Sequence, residues 1–239
     1  MNLVVTAGPT ELAESSASLV RARLVAKPDL VMAVPAGRTP RPMYALLCRL
    51  QERSPLDYSR MRVFCIDELC PPAPSDGYFW RQITREFLSW AAVPASRCHP
   101  FRVDTEDLEG MCHAYEIGIA EAGGLDLVML GLGPNAHLAS NEPGTAFDSL
   151  TRPVPLLPET VRYILTDEVI QGPVSPRAVT LGLATIMGAR EVVVLVSGSS
   201  KRESLRRLLA GPPTPDVPAS VLAGHPNCTI LTDRNACPA

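Results

Sequence analysis

Two carboxylates stand side by side in IDELC (66–70), and in GLGPNAHLASNEPG (131–144) a histidine precedes a glutamate by five residues. Adjacent residues of a strand face opposite sides, so one of Asp67 and Glu68 points into any cleft at that strand end while the other points away. A carboxylate so placed can take a carbon-bound proton next to a carbonyl. His137 belongs to the one side-chain type whose ordinary pKa lies near neutrality, which suits a general acid or base. Asn135 and Glu142 are the polar neighbours that can orient it. Two further stretches suit an anion. PAGRTPRP (35–42) presents Gly37, Arg38 and Thr39 before a predicted helix, and SGSSKR (197–202) presents Lys201 in a first helical turn. Backbone N–H groups at a helix start attract an anion, and a lysine there opposes the helix dipole unless it meets one. PAGRTPRP lacks the P-loop lysine and the dinucleotide-binding glycine spacing, so it does not support ATP or NAD binding. Each feature taken alone also has a plain structural reading: a capped helix, solvated turn carboxylates, an exposed loop histidine.

Their placement argues for a shared site. Short apolar runs read as buried strands at 3–6, 29–35, 62–66, 125–130, 191–197 and 228–233. Stretches of helical periodicity lie between them at 11–26, 39–52, 78–90, 104–123 and 199–211. Strands that are continuously apolar and alternate with helices predict an α/β fold, a doubly wound, mostly parallel sheet with helices on both faces, Rossmann-like, in one domain over 1–239. In such sheets ligands bind on the loops leaving the carboxyl ends of the strands. All four chemically suggestive stretches follow directly on an apolar run.

Composition removes several classes. Of 239 residues, 46% are hydrophobic and 20% charged, as in ordinary soluble globular proteins. The net charge of −3 is spread with mixed signs and no basic stripe, which argues against nucleic acid as a partner. No apolar run reaches the ~20 residues that cross a bilayer, and no basic segment precedes the first one, so neither a membrane partner nor a signal peptide is expected. Seven irregularly spaced cysteines predict reduced thiols in a cytoplasmic protein rather than a zinc site.

With these residues in hand, the chain resembles the glucosamine-6-phosphate deaminase and 6-phosphogluconolactonase superfamily over about residues 28–235, most closely its short bacterial deaminases. The deaminase signature G-x-G-x-[DN]-G-H-x-x-F-N-E-P is matched by GLGPNAHLASNEP, and the SGSSKRESLRRLL tail follows in similar spacing. The resemblance implies isomerisation of an amino sugar phosphate to a ketose phosphate with loss of ammonia. His137 is then the ring-opening acid/base, with Asn135 and Glu142 assisting, and Asp67 moves the proton between C2 and C1. Gly37, Arg38, Thr39 and Lys201 hold the phosphate, with Arg162 nearby. No metal and no cofactor are implied, because the open-chain carbonyl itself acidifies the C2 proton. The partner is a small sugar phosphate, and the state is a monomer or small homo-oligomer.

Departures accompany the match. Ala136 replaces a glycine, Ser140 an aromatic residue, and Asp67-Glu68-Leu69 follows neither D-E-Y nor D-E-R. AGRT stands for the usual phosphate loop, and Asp167 aligns where the family has a phosphate-binding arginine. Three other readings therefore stay open: a divergent sugar phosphate isomerase, lactone hydrolysis, and a sugar phosphate sensor without turnover.

Overall fold

A computed structural model describes every residue except Val169, Gln171, Pro173 and Ala239. In chain order β1 (Asn2–Thr6) leads through α1 (Pro9–Ala26) to β2 (Val31–Val34), then α2 (Arg41–Arg53), β3 (Arg62–Cys65) and β4 (Asp67–Leu69). Next come α3 (Phe79–Ile83), a π-helical turn (Thr84–Leu88), α4 (Ser89–Ala91), β5 (Cys98–His99), α5 (Leu108–Glu121) and β6 (Leu127–Gly131). The remainder runs β7 (Arg152–Pro155), α6 (Pro158–Leu165), β8 (Arg177–Thr180), α7 (Leu183–Met187), β9 (Glu191–Val196), α8 (Arg202–Leu209) and β10 (Cys228–Asp233). No helix among the described residues is long and apolar enough to cross a membrane.

Among the described residues, seven strands form one sheet in the order β1-β10-β9-β6-β2-β3-β5, flanked by helices. Every neighbouring pair in it is parallel. All four residues of β2 and all six of β9 are buried, as expected for strands covered on both faces. The chain winds from β2 outward through β3 to β5, then returns past β2 to β6, β9 and β10. Winding thus reverses between β2 and β6, and the loops leaving those two strands turn away from each other, opening a crevice at their carboxyl ends.

The expected fold class is found, with three corrections of detail. The run at 3–6 is not a buried strand: Leu3, Val4 and Val5 are 43–46% exposed, because β1 is an edge strand paired only with β10. IDELC does not form a loop. Residues 67–69 are β4, which joins β8 and β7 in a separate three-stranded antiparallel sheet with its own apolar cluster of Leu69, Tyr78, Val154, Leu156, Ile170 and Ala178. The helix expected from Thr39 begins at Arg41, so Thr39 lies in the turn before it and Pro40 occupies the cap position.

The turn from β3 into β4 is held by a side chain. Glu68 Oε1 accepts from the backbone N–H groups of Leu69, Tyr78 and Phe79 at 2.9–3.1 Å, and Oε2 accepts from Trp80 at 2.8 Å. One buried carboxylate therefore satisfies the start of α3 and ties it to β4. Gly77 is required beside it: its φ is +73°, and a Cβ there would lie 2.3 Å from Glu68 Oε2. Burial pushes the Glu68 carboxyl pKa up against the pull of these four donors. Glu68→Gln replaces an acceptor by an NH₂ facing backbone donors. We expect it to cost about 2–4 kcal/mol in denaturant-midpoint measurements; a loss below about 1 kcal/mol would show that the clamp does not secure this segment.

Candidate active site

The crevice between the β2 and β6 loops is a cleft of roughly 870 Å³ including its open mouth, and Gly37, Arg38, Thr39, Asp67, His137 and Lys201 all line it. Six of the nine residues singled out from the sequence therefore meet in one place. Asn135 and Glu142 stand behind His137 and complete its surroundings.

The β6 loop positions the imidazole by close packing. A Cβ on Gly133 would come within 2.2–2.4 Å of three His137 ring atoms, so the ring lies flat against this glycine's backbone. The His137 N–H donates to Asn135 Oδ1 at 3.2 Å, and Asn135 Nδ2 donates to Glu142 Oε2 at 2.8 Å. Glu142 Oε2 lies 3.5 Å from His137 Nδ1, within ion-pair reach, and Oε1 accepts from Leu157 N at 3.2 Å. With Nδ1 turned to Glu142, Nε2 is the nitrogen left for a ligand. Burial raises the Glu142 carboxyl, but the His137 ring, Thr160 and Asn135 outweigh it and the pKa falls to about 2, so this group is ionised near neutral pH.

Ala136 adopts φ +66°, the left-handed conformation that a glycine takes without strain. Its strain of ~1–2 kcal/mol is offset by burial of its methyl group, worth ~0.8 kcal/mol, and by ~0.4–1 kcal/mol of reduced unfolded-chain freedom. The two sides nearly cancel, so an alanine keeps the loop path that glycine gives.

Asp67 lies where the two sheets meet, with its side chain in the cleft while Glu68 points to the backbone clamp, as strand alternation requires. Its Oδ2 accepts from Ser140 Oγ at 2.8 Å. Burial pushes the Asp67 carboxyl up to about 7, against the pull of Ser140 and with a contribution from neighbouring Glu68. That value places a carboxylate base at the edge of ionisation near neutral pH.

The cations gather around Tyr163, a residue the sequence reading did not single out. Lys201 Nζ sits 4.3 Å and the Arg38 guanidinium carbon 4.4 Å from the centre of its ring, both within cation–π range. Lys201 is 6% exposed, and burial, with Arg38 beside it, lowers its pKa against the pull of Tyr163. Two positive groups crowded on one ring make a place for an anion. Two of the backbone donors are already engaged: Gly37 N–H donates to Gln82 Oε1 at 3.1 Å, and Gly198 N–H to the Asp233 carboxylate at 3.1–3.2 Å. The positive charge at this end of the cleft comes from the Arg38 and Lys201 side chains.

Arg162 does not join the cleft. Its Nε donates to Pro158 O at 3.2 Å, and it faces a separate shallow depression beside Pro134, Asn135 and Glu159. Asp167 does line the cleft, and Arg41 Nη2 bonds both of its carboxylate oxygens at 2.8–2.9 Å while Arg41 Nε bonds Glu86 at 3.0 Å. The acid at this position is thus neutralised within the protein. Of these additional contributors, Gly133 was visible in the signature glycines, whereas Tyr163, Gln82 and Arg41 come from helices with no local motif.

Comparison with known proteins identifies the family. Residues 7–231 match the family described as glucosamine-6-phosphate isomerases/6-phosphogluconolactonase. The glucosamine-6-phosphate deaminase of Thermoanaerobacter pseudethanolicus is 33% identical over 99% of this chain and 94% of that protein. The glucosamine-6-phosphate deaminase of an Arthrobacter species is 34% identical over 99% of this chain and 91% of its own. Among solved structures, a monomeric glucosamine-6-phosphate deaminase superposes with a TM-score of 0.92 at 30% identity, covering 99% of this chain and 98% of that one. The 6-phosphogluconolactonase of Trypanosoma brucei superposes with a TM-score of 0.74 at 25% identity, covering 98% and 97%. A match over nearly the whole length places the chain in the glucosamine-6-phosphate isomerase/6-phosphogluconolactonase family.

Proposed function

We propose that the chain, as a single domain over residues 1–239, converts glucosamine 6-phosphate or a closely related amino sugar phosphate to a ketose phosphate and ammonia. The observation that carries this reading is the meeting of Asp67, His137 and the Arg38–Lys201 pair in one cleft. The names of the relatives at 33–34% identity support the deaminase branch. Seven free cysteines suit the cytoplasm, and the monomeric relative suits a monomer or small homo-oligomer.

Each group has a step. His137, oriented by Asn135 and Glu142, moves a proton from the anomeric hydroxyl to the ring oxygen and opens the sugar. The freed C1 carbonyl acidifies the C2 hydrogen, and ionised Asp67 takes that proton while the C1 oxygen takes one from the substrate's own ammonium group, leaving an enol-amine. The same carboxyl returns the proton to C1, giving a C2 imine. Water adds to the imine carbon and ammonia leaves, so one water is consumed for each ammonia released. Lys201 and Arg38, with Tyr163 between them and Thr39 beside them, hold the phosphate and fix the register of the carbons over Asp67.

Release of ammonia and ketose phosphate from glucosamine 6-phosphate tests the reading, and no turnover at high enzyme concentration would overturn it. Because Asp67 must be ionised and its pKa is held at about 7, kcat/KM is expected to rise with pH through about 7. Asp67→Asn should abolish exchange of the C2 hydrogen with solvent deuterium; full activity in that variant would favour lactone hydrolysis instead. Supplying open-chain substrate should partly rescue His137→Ala, and no rescue would remove the ring-opening role. Lys201→Ala should raise KM by about 10- to 100-fold, corresponding to ~1.5–3 kcal/mol for a charged hydrogen bond. An unchanged KM would take Lys201 out of the phosphate site.

A further inference from the structure

The loop that carries His137 makes a second, separate connection to the carboxylate across the cleft. Residues 138–141 are pinned to the end of β8. Asn141 Nδ2 donates to Leu138 O at 3.0 Å and to Leu181 O at 2.8 Å, and Ser140 N donates to Thr180 Oγ1 at 3.1 Å. Thr180 is in turn the cross-strand partner of Asp67 in the antiparallel pairing of β4 with β8. Ser140 Oγ closes the ring by donating to Asp67 Oδ2 at 2.8 Å. Ser140, Thr180 and Asp67 are 4%, 0% and 9% exposed, so the hydroxyl is held by its own backbone and shielded from water that would compete for it.

From this geometry we propose that Ser140 is a positioning residue that anchors one oxygen of Asp67 and keeps the carboxylate ionised for proton transfer at carbon. A carboxylate with one oxygen tied down presents the other in a single direction, which in-line abstraction of a carbon-bound proton needs. A hydroxyl that donates to the charged form also favours that form. Without it, Asp67 would face its burial and the adjacent Glu68 carboxylate with one less opposing partner. Ser140 acts through Asp67 and touches no reacting atom. The main chain of the same short loop thus orients the acid/base His137 while its next polar side chain sets the base at carbon.

This inference rests on the role proposed for Asp67, so the test separates the two. The probe is glucosamine 6-phosphate in deuterium oxide, followed for exchange at C2 and for ammonia release from pH 5.5 to 9.5. Exchange by the wild-type chain that Asp67→Asn abolishes establishes the base. Turnover in which the C2 hydrogen is neither exchanged with solvent nor moved to C1 would overturn the role of Asp67 and this inference with it. Given that base, Ser140→Ala should move the acid limb of kcat/KM up by about one pH unit, because loss of a donor to the charged form raises the carboxyl pKa. The plateau at high pH should change by only a few fold, and KM should stay close to that of wild type. Ser140→Thr, which restores the hydroxyl, should return the limb toward its original position. A limb left in place in Ser140→Ala would show that the hydroxyl does not hold the charged form of Asp67, and it would overturn the proposal. So would a shifted limb in Ser140→Ala that Ser140→Thr fails to reverse in folded protein, as judged by circular dichroism.

Discussion

The reversal of winding between β2 and β6 is the constraint on which the site depends. A parallel sheet buried on both faces leaves its polar chemistry to the strand ends, and adjacent loops normally crowd one another there. Where winding reverses they diverge, and the space they vacate is the cleft that takes Arg38 from one loop and His137 from the other. The third contributor, Asp67, arrives differently. The chain leaves β3 and immediately enters a second sheet, and that change of partner turns the carboxylate inward at the seam between the two. Lys201 comes from the end of β9, next to β6 in the sheet, so the cations and the acid/base groups converge from neighbouring strands without long loops.

Electrostatics within the cleft follow from how each group is supported. Glu142 keeps its charge because a ring and an amide face it, whereas Asp67 is held near neutrality by burial that a single hydroxyl only partly opposes. Two carboxylates in one small region thus differ widely in proton affinity, an arrangement that separates a permanent orienting charge from a group able to accept and return a proton. The Arg41–Asp167–Glu86 cluster works in the same spirit. There Arg41 pairs the Asp167 carboxylate that lines the cleft.

Much of this was legible in the residues. Continuous apolar strands such as EVVVLV could only be covered on both faces, which gave the sheet type, and the strand-end rule picked the loops that do converge. The glycine, histidine and NEP pattern of residues 131–144 marked the loop that brings His137 into the cleft. What the residues did not reveal depended on context. The apolar NLVVT run reads as core, yet its place at the sheet edge, a matter of topology, leaves it exposed. The run DEL is too short to announce a strand, and β7 is interrupted by Pro153, which lies at an edge of the small sheet. Tyr163 carried no signal because its role comes from two cations reaching it from distant loops. Arg162 looked suitable by proximity along the chain, but helical periodicity turns it to the outside of α6.

The adjacency of Asp67 and Glu68 has an evolutionary corollary. One residue serves the cleft and the next secures the start of α3, and the pleat of β4 assigns those jobs by parity alone. A single-residue insertion or deletion between β3 and β4 would exchange them, placing the clamp in the cleft and the base against backbone amides. The link from Arg62 to Leu69 is therefore expected to hold its length while side chains around it drift. Residues 71–76, bracketed by the contacts of Glu68 to either side, form the connection whose length the clamp does not fix, so family members should differ in loop size there first.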